Sequence, residues 1–202
     1  MPIDTRHPRE IRADMRSGKL SGVTAGLGPG FVQANMAVLP REDAYDFLLF
    51  CQRNPRPCPL IEVTDVGSPE PVGVAPGADL RTDLPRYRIY KDGVLADEVT
   101  DVKAFWRDDL VAFLLGCSFT FEWALMDAGI PLRHVDRGCN VSMWKTKVCP
   151  SLLASFCVYH EEYHSSSRVE GGTCCNSRIL SCYTLLQQVY LKGEQAHIDR
   201  NV

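Results

Sequence analysis

In the stretch FVQANMAVLP (31–40), Val32, Ala34, Met36 and Val38 recur at every second position, the period of a strand with one apolar face. Its other face mixes Phe31 and Leu39 with Gln33 and Asn35. From Pro40 the period changes. Ala44, Phe47, Leu48 and Cys51 make a helical stripe in REDAYDFLLFCQR, Pro40 opens it where a missing N–H does no harm, and NPRPCP stops it. Before these elements, Pro8 to Ser17 reads as a short polar helix with Ile11 and Met15 inward and Gly18 at its end. SGVTAGLGPG (21–30) is too rich in glycine for a regular element and reads as a loop.

LIEVTDV (60–66) is expected to form a short strand, followed by a Pro/Gly-rich run to about Pro76. RYRIYKDGVLADEV (86–99) is a hairpin pattern, two strand-like runs about Asp92-Gly93, a pair suited to a type I′ turn. Thr100 or Asp101 is then expected to cap a helix through Leu115, with Trp106, Leu110, Phe113 and Leu114 as its buried stripe. Gly116 breaks it, and a second helix from about Phe119 ends with Gly129 at C′ and Pro131 just beyond. The pattern is that of an α/β protein, mixed α and β.

Composition narrows the classes. The chain has 202 residues, suited to about one domain, and ordinary charged and apolar fractions. A net charge of -3 gives no electrostatic reason to expect nucleic acid or an anionic membrane as a partner. No apolar run approaches the ~20 residues of a membrane span. The Arg-rich N-terminus also carries Asp4, Glu10 and Asp14, which fits neither a transit peptide nor a signal peptide. A soluble cytoplasmic protein is the expectation; a mitochondrial address stays open but lacks a clear transit peptide. The nine cysteines divide unevenly: Cys51, Cys58, Cys117 and Cys139 are spread along the first part, and five crowd into the residues from Cys149 on. Proline does the reverse, with only Pro150 beyond position 140. The chain changes character after Trp144.

Four groups of polar residues are candidates for chemistry. In APGADLRTDLPRY (75–87), Asp79, Arg81 and Asp83 alternate and share one face if the chain is extended. Arg81 is suited to gripping a carboxylate, and an aspartate to holding an ammonium or moving a proton; a salt-bridged surface loop is the plainer alternative. In GCSFTFE (116–122), amide groups at a helix start suit an anion, Cys117 or Ser118 is a candidate nucleophile, and Glu122 an acid or base. Capping by Ser118 or Thr120, with Cys117 as a small packed hydrophobe, explains the same residues. Gln33 and Asn35 either bind a polar ligand or face water. Finally, His160-Glu161-Glu162-Tyr163-His164 has the H-E-x-x-H spacing of a zinc peptidase. Glu162 between the histidines and the three serines that follow argue against a dry helical zinc site, and His197 or Cys174-Cys175 would have to supply a third ligand.

SGVTAGLGPGFVQANMAVLP, DFLLFCQRNPRPCPLIEVT, APGADLRTDLPRYRIYKDG and WRDDLVAFLLGCSFTFEWALMDAGIPLRHVDRG resemble, in order, the D-glutamate cyclase family, whose bacterial and fungal members are mostly labelled hydro-lyases; NVSMWKTKV (140–148) continues the likeness. The resemblance covers Met1 to about Val148, the first half or so of a typical member. It implies loss of water from D-glutamate, or a similar small acid, to give 5-oxo-D-proline, with a small-molecule substrate, no cofactor and no metal. On that reading Arg81 holds a carboxylate, Asn35 and Cys117 line the substrate, and Asp79 or Asp83 holds or deprotonates the amine. Ser118, Thr120 and the amides near Cys117 serve the oxyanion, and Glu122 donates the proton. The alternatives are a catalytically dead fragment or a small-acid binding module; a zinc hydrolase ranks behind both. The sequence leaves the oligomeric state open.

From about Cys149 the family pattern ends. Read out of frame, the codons of Leu152 to Phe156 are compatible with Pro-Ala-Gly-Ile-Phe, a run the family carries there. Two segments are therefore expected: 1–148, the N-terminal portion of a hydro-lyase domain truncated relative to the family, and 149–202, a non-matching tail from a frameshift, a misread intron or an alternative exon. Within the tail, Ile179, Cys182, Leu186 and Val189 suit one side of an amphipathic helix.

Overall fold

The computed structural model describes residues 3–56, 58–91 and 94–139, and the backbone of 188–191. Its elements run in the order α1 (Pro8–Arg16), β1 (Val32–Pro40), α2 (Arg41–Arg53), β2 (Leu60–Val63), β3 (Tyr87–Lys91), β4 (Val94–Val99), a 3-10 turn (Lys103–Phe105), β5 (Leu110–Gly116), α3 (Phe119–Asp127), α4 (Arg133–Asp136) and β6 (Gln188–Leu191). The class is mixed α and β, as the sequence pattern implies. One sheet has the order β2-β5-β1-β6 and the other is the β3-β4 hairpin. All the strand pairs are antiparallel.

β1 and β5 pair over seven positions, from Ala34 opposite Gly116 to Pro40 opposite Leu110. Alternation along both strands divides their side chains between two cores. Ala34, Met36 and Val38 join Leu110, Ala112 and Leu114 on one face, where Leu80, Leu84, Tyr87 and Ile89 cover them. On the other face Ala37, Leu39, Val111 and Phe113 pack against Phe47, Phe50 and Cys51 of α2. Phe113 meets Phe47 edge to face, with ring centroids 4.9 Å apart. A third, smaller cluster joins Ile11 and Met15 of α1 to Leu20 and Leu27.

The expected helix from Thr100 to Leu115 is not there. Asp101 accepts from the Lys103 N–H at 2.7 Å, but the helical turn spans only Lys103–Phe105 and its N-cap is Val102. Leu110–Gly116 is a central strand instead. It is covered on both faces, so it reads as an unbroken apolar run, and period alone does not separate such a run from a buried helix. The other elements are close to expectation. Ile11 and Met15 are buried in α1, together with Pro8 and Arg12, and Pro40 sits at the N-cap of α2. Gly129 ends α3 with φ of 76°, a left-handed value that costs glycine little. Val189, assigned above to an amphipathic helix, lies in β6 and pairs with Ala34. The rest of that helix and the HEEYH segment lie outside the described residues.

Candidate functional site

The candidate residues separate into two clusters. The first is built on the loop before β3. Asp79 and Arg81 are not on an extended chain: the N–H groups of Thr82 and Asp83 both donate to the Asp79 carbonyl, at 3.1 and 2.9 Å, which makes a turn. The Asp79 carboxylate accepts from the Arg81 N–H at 3.0 Å and from its Nε and Nη2 at 2.8 and 2.9 Å. Burial pushes the Asp79 carboxyl up, but the bonds from Arg81 and the charges of Arg81 and Lys103 outweigh it, and its pKa lies below the ordinary value. The same bond raises the Arg81 guanidinium above its usual range. Arg81 is thus spent largely on its own neighbour.

Asp83 faces inward and has no exposed surface. It accepts from Arg16 Nε and Nη2 at 2.8 Å each, from the Asp79 N–H and the Thr82 hydroxyl at 3.1 Å each, and pairs with Arg12 at 3.6 Å. Burial lowers the Arg12 guanidinium, and only partly does the Asp83 charge offset this. Asp83 therefore locks α1 onto the loop, a structural task. Asp79 and Asp83 lie in a turn and not on the extended chain that their alternation assumed.

The second cluster lies where β5 gives way to α3. Ser118 occupies the N-cap position, but its hydroxyl makes no cap bond; it donates instead to Glu122 Oε1 at 3.2 Å, one helical turn on. The other oxygen of Glu122 lies 2.9 Å from His134 Nε2 on α4. Glu122 and His134 are both nearly buried, their side chains 7% and 11% exposed. The His134 ring stacks on Phe119, centroids 6.3 Å apart and planes 17° apart. A buried carboxylate so held at both oxygens is an arrangement for passing a proton. Nothing in the sequence around Arg133-His134-Val135-Asp136 pointed to His134; only the packing of α4 on α3 brings it to Glu122.

Thr120, at the start of α3, faces β1. Its hydroxyl accepts from the Gln33 N–H at 3.0 Å and donates to the Gln33 carbonyl at 3.2 Å, tying α3 to β1. Gln33 does not face water; it is 2% exposed. Its Nε2 donates to the Leu27 carbonyl at 2.8 Å, and its Oε1 has no partner among the described residues. Asn35, half-buried, stands two positions on along the same side of β1, and Cys117, also half-buried, precedes Ser118. A cavity of about 10 Å³ touches Gln33, Glu122, Phe119 and Trp123 and the glycine-rich loop at Gly26 and Leu27. A larger cavity of about 40 Å³ between β1 and the hairpin, lined by Met36, Ile89 and Trp106 among others, is touched by none of the candidate residues. α1 contacts both clusters, through Arg12 and Arg16 on Asp83 and through Ile11 and Met15 against Leu27.

Among the described residues no group of three His, Cys, Asp or Glu side chains is placed to hold a metal ion. Among them, too, no helix is long and apolar enough to cross a membrane.

Comparison with known proteins gives two concordant findings. The D-glutamate cyclase family matches residues 111–164, a span that takes in β5, Ser118, Glu122 and His134 and runs past the boundary drawn at Val148, through the HEEYH segment. Among curated relatives, a "putative hydro-lyase" of Thermoanaerobacter sp. (strain X514) is 62% identical over 141 residues, 70% of this chain and 53% of the relative. The corresponding protein of Bacillus licheniformis is 55% identical over 148 residues, 73% and 56% of the two chains. "Putative hydro-lyase YcsI" of Bacillus subtilis is 55% identical over 141 residues, 70% and 55%. The chain thus spans about half the length of these relatives. Over these spans the chain is similar to the D-glutamate cyclase family and to these relatives.

Proposed function

We propose that the chain carries the acid–base half of a hydro-lyase site that closes D-glutamate, or a similar small acid, to a lactam. The reaction balances without an outside donor. The amine nitrogen forms a bond to the γ-carboxyl carbon and gives up two protons. The departing carboxyl oxygen gains two and leaves as water. What a protein must supply is a relay for those protons and donors for the developing oxyanion.

The observation that carries this reading is the buried Glu122, held by Ser118 at one oxygen and by His134 at the other, on the wall of a small cavity. Glu122 is the group for delivering a proton to the leaving oxygen, His134 for resupplying it, and the hydroxyl of Ser118 for steadying the carboxylate. Arg81 is assigned the second carboxylate of the substrate, a role that requires it to loosen its grip on Asp79. Asp79 and Asp83 support Arg81 and α1 from behind, and the reading gives them no proton to move. The likeness to the D-glutamate cyclase family and to relatives named hydro-lyases supports the same chemistry.

Glu122→Gln removes the exchangeable proton while keeping shape and both neighbours. Incubated with D-glutamate and analysed for 5-oxoproline, the variant of this chain, and of a full-length relative, is expected to lose at least about 100-fold in turnover. Unchanged turnover would sink the assignment. The engagement of Arg81 by Asp79 favours one further reading, a module that binds a small acid without turning it over. D-glutamate binding by this chain without 5-oxoproline, alongside turnover by the full-length relative, distinguishes it.

A further inference from the structure

We infer that the cavity between Gln33 and Glu122 is a subsite for a primary ammonium group, the one the substrate must present; this rests on the reading above. The first support is Gln33. Its amide cannot be turned round, because the Leu27 carbonyl only accepts and so must face the NH2 end. That fixes Oε1 as a buried acceptor with no partner among the described residues. Leaving such an atom unpaired is costly, and native proteins rarely do so without a purpose.

The second support is the company it keeps. The same cavity is touched by Glu122, whose carboxylate oxygens each have a further lone pair after taking Ser118 and His134. Apart from Gln33 and Glu122 the cavity lining is mostly apolar, with Leu27, Phe119 and Met126. Two acceptors, one of them a carboxylate, in an apolar surround select a small cation with several N–H donors. They repel a carboxylate. At about 10 Å³ the cavity admits one group the size of a water molecule, which fits an –NH3+ head but not a quaternary ammonium. The rest of the molecule must then leave past Trp123 and Ile3, both exposed.

The placement also makes chemical sense. An ammonium seated on Glu122 lies beside the group that must eventually move its protons, so one carboxylate serves first as counter-ion and then as relay.

Calorimetric titration of the full chain tests this with D-glutamate, glutarate, methylammonium and tetramethylammonium. D-glutamate is expected to bind at least about tenfold more tightly than glutarate, which lacks the amine, and Gln33→Met to erase that difference. Methylammonium is expected to compete and tetramethylammonium not to. Equal affinity for D-glutamate and glutarate in the unaltered chain would overturn the subsite while leaving the hydro-lyase reading in place. Binding of methylammonium that Gln33→Met abolishes, with no binding of D-glutamate, would uphold the subsite and overturn the substrate. If no amine binds and Gln33→Met changes only the melting temperature, Gln33 has a purely structural role and the subsite falls.

Discussion

Arg16 and Asp83 stand 67 positions apart and meet through two parallel hydrogen bonds of 2.8 Å. The carboxylate has no exposed surface, whereas the Arg16 side chain is 51% exposed. The two partners therefore have unequal weight. Asp83→Asn removes the buried charge on which Arg12 and Arg16 converge and breaks the clamp from the inside, and is expected to cost about 3–5 kcal/mol. Arg16→Ala leaves Asp83 its bonds from Asp79 and Thr82 and its ion pair with Arg12, and is expected to cost about 1 kcal/mol or less. Urea unfolding of the two variants measures both; equal losses would mean that Asp83 is not the centre of the clamp.

Several carboxylates are held below their ordinary pKa by arginine: Asp79 by Arg81 against the opposing effect of burial, Glu98 by Arg88 and Arg86, and Asp109 by Arg107. The native state then binds fewer protons than the unfolded chain between the two values, so stability rises with pH there. The stabilisation is fully present above the unfolded pKa values of about 4 and is lost as pH falls through the depressed native ones. The urea midpoint is expected to fall steeply below about pH 4. A fall beginning near pH 6 would place the sensitive groups elsewhere.

Gly67 adopts φ of +79°, and a Cβ there would stand 2.8 Å from the Asp108 carbonyl oxygen, a backbone atom with little room to yield. Its own carbonyl accepts from Trp106 Nε1 at 3.0 Å and its N–H donates to the Leu110 carbonyl at 2.7 Å. Gly67→Ala combines strain with a clash and is expected to cost about 1–3 kcal/mol in thermal or urea unfolding. A neutral outcome would mean that the segment from Trp106 to Leu110 shifts freely.

Cys51 and Cys58 are both buried, while Cys139 is exposed. A hydrogen bond to Cys58, together with burial, pushes the Cys51 thiol up, and the same bond, against burial, holds Cys58 down. Alkylation followed by peptide mapping as pH is raised is expected to label Cys58 before Cys51. Simultaneous labelling of Cys51 and Cys58 would argue that the pair is not formed in solution.

The alternation of Val32, Ala34, Met36 and Val38 places one face of β1 from sequence alone, because a half-apolar strand carries its own period. β5 offers no such signal: both its faces are covered, so Leu110 to Leu115 is apolar throughout and a helical stripe fits it by accident. The site divides in the same way. Ser118 and Glu122 are one helical turn apart, and their meeting is a local matter legible in the chain. His134 reaches Glu122 only through the packing of α4, and Gln33 joins them only because β1 lies beside α3; such long-range neighbours leave no mark in spacing. Asp79, Arg81 and Asp83 mislead for a related reason, since a turn centred on the Asp79 carbonyl replaces the extended chain that their alternation assumed.

Glu122 bridges Ser118 and His134, and a thermodynamic cycle measures the coupling. Removing either neighbour leaves a buried carboxylate with one bond fewer, and removing both does more harm than the separate losses together. His134→Phe keeps the ring that stacks on Phe119 and deletes the nitrogen that meets Glu122; Ser118→Ala deletes the hydroxyl with little loss of volume. Each alone is expected to cost about 1–2 kcal/mol, because the carboxylate retains one partner. The double variant is expected to exceed the sum by about 0.5–1 kcal/mol, since Ser118 and His134 share a single partner and are coupled through it. The effect should vanish in a Glu122→Leu background, where there is no charge to hold. Strict additivity in the unaltered background would mean that the two residues act separately, and that the buried carboxylate is satisfied by other groups.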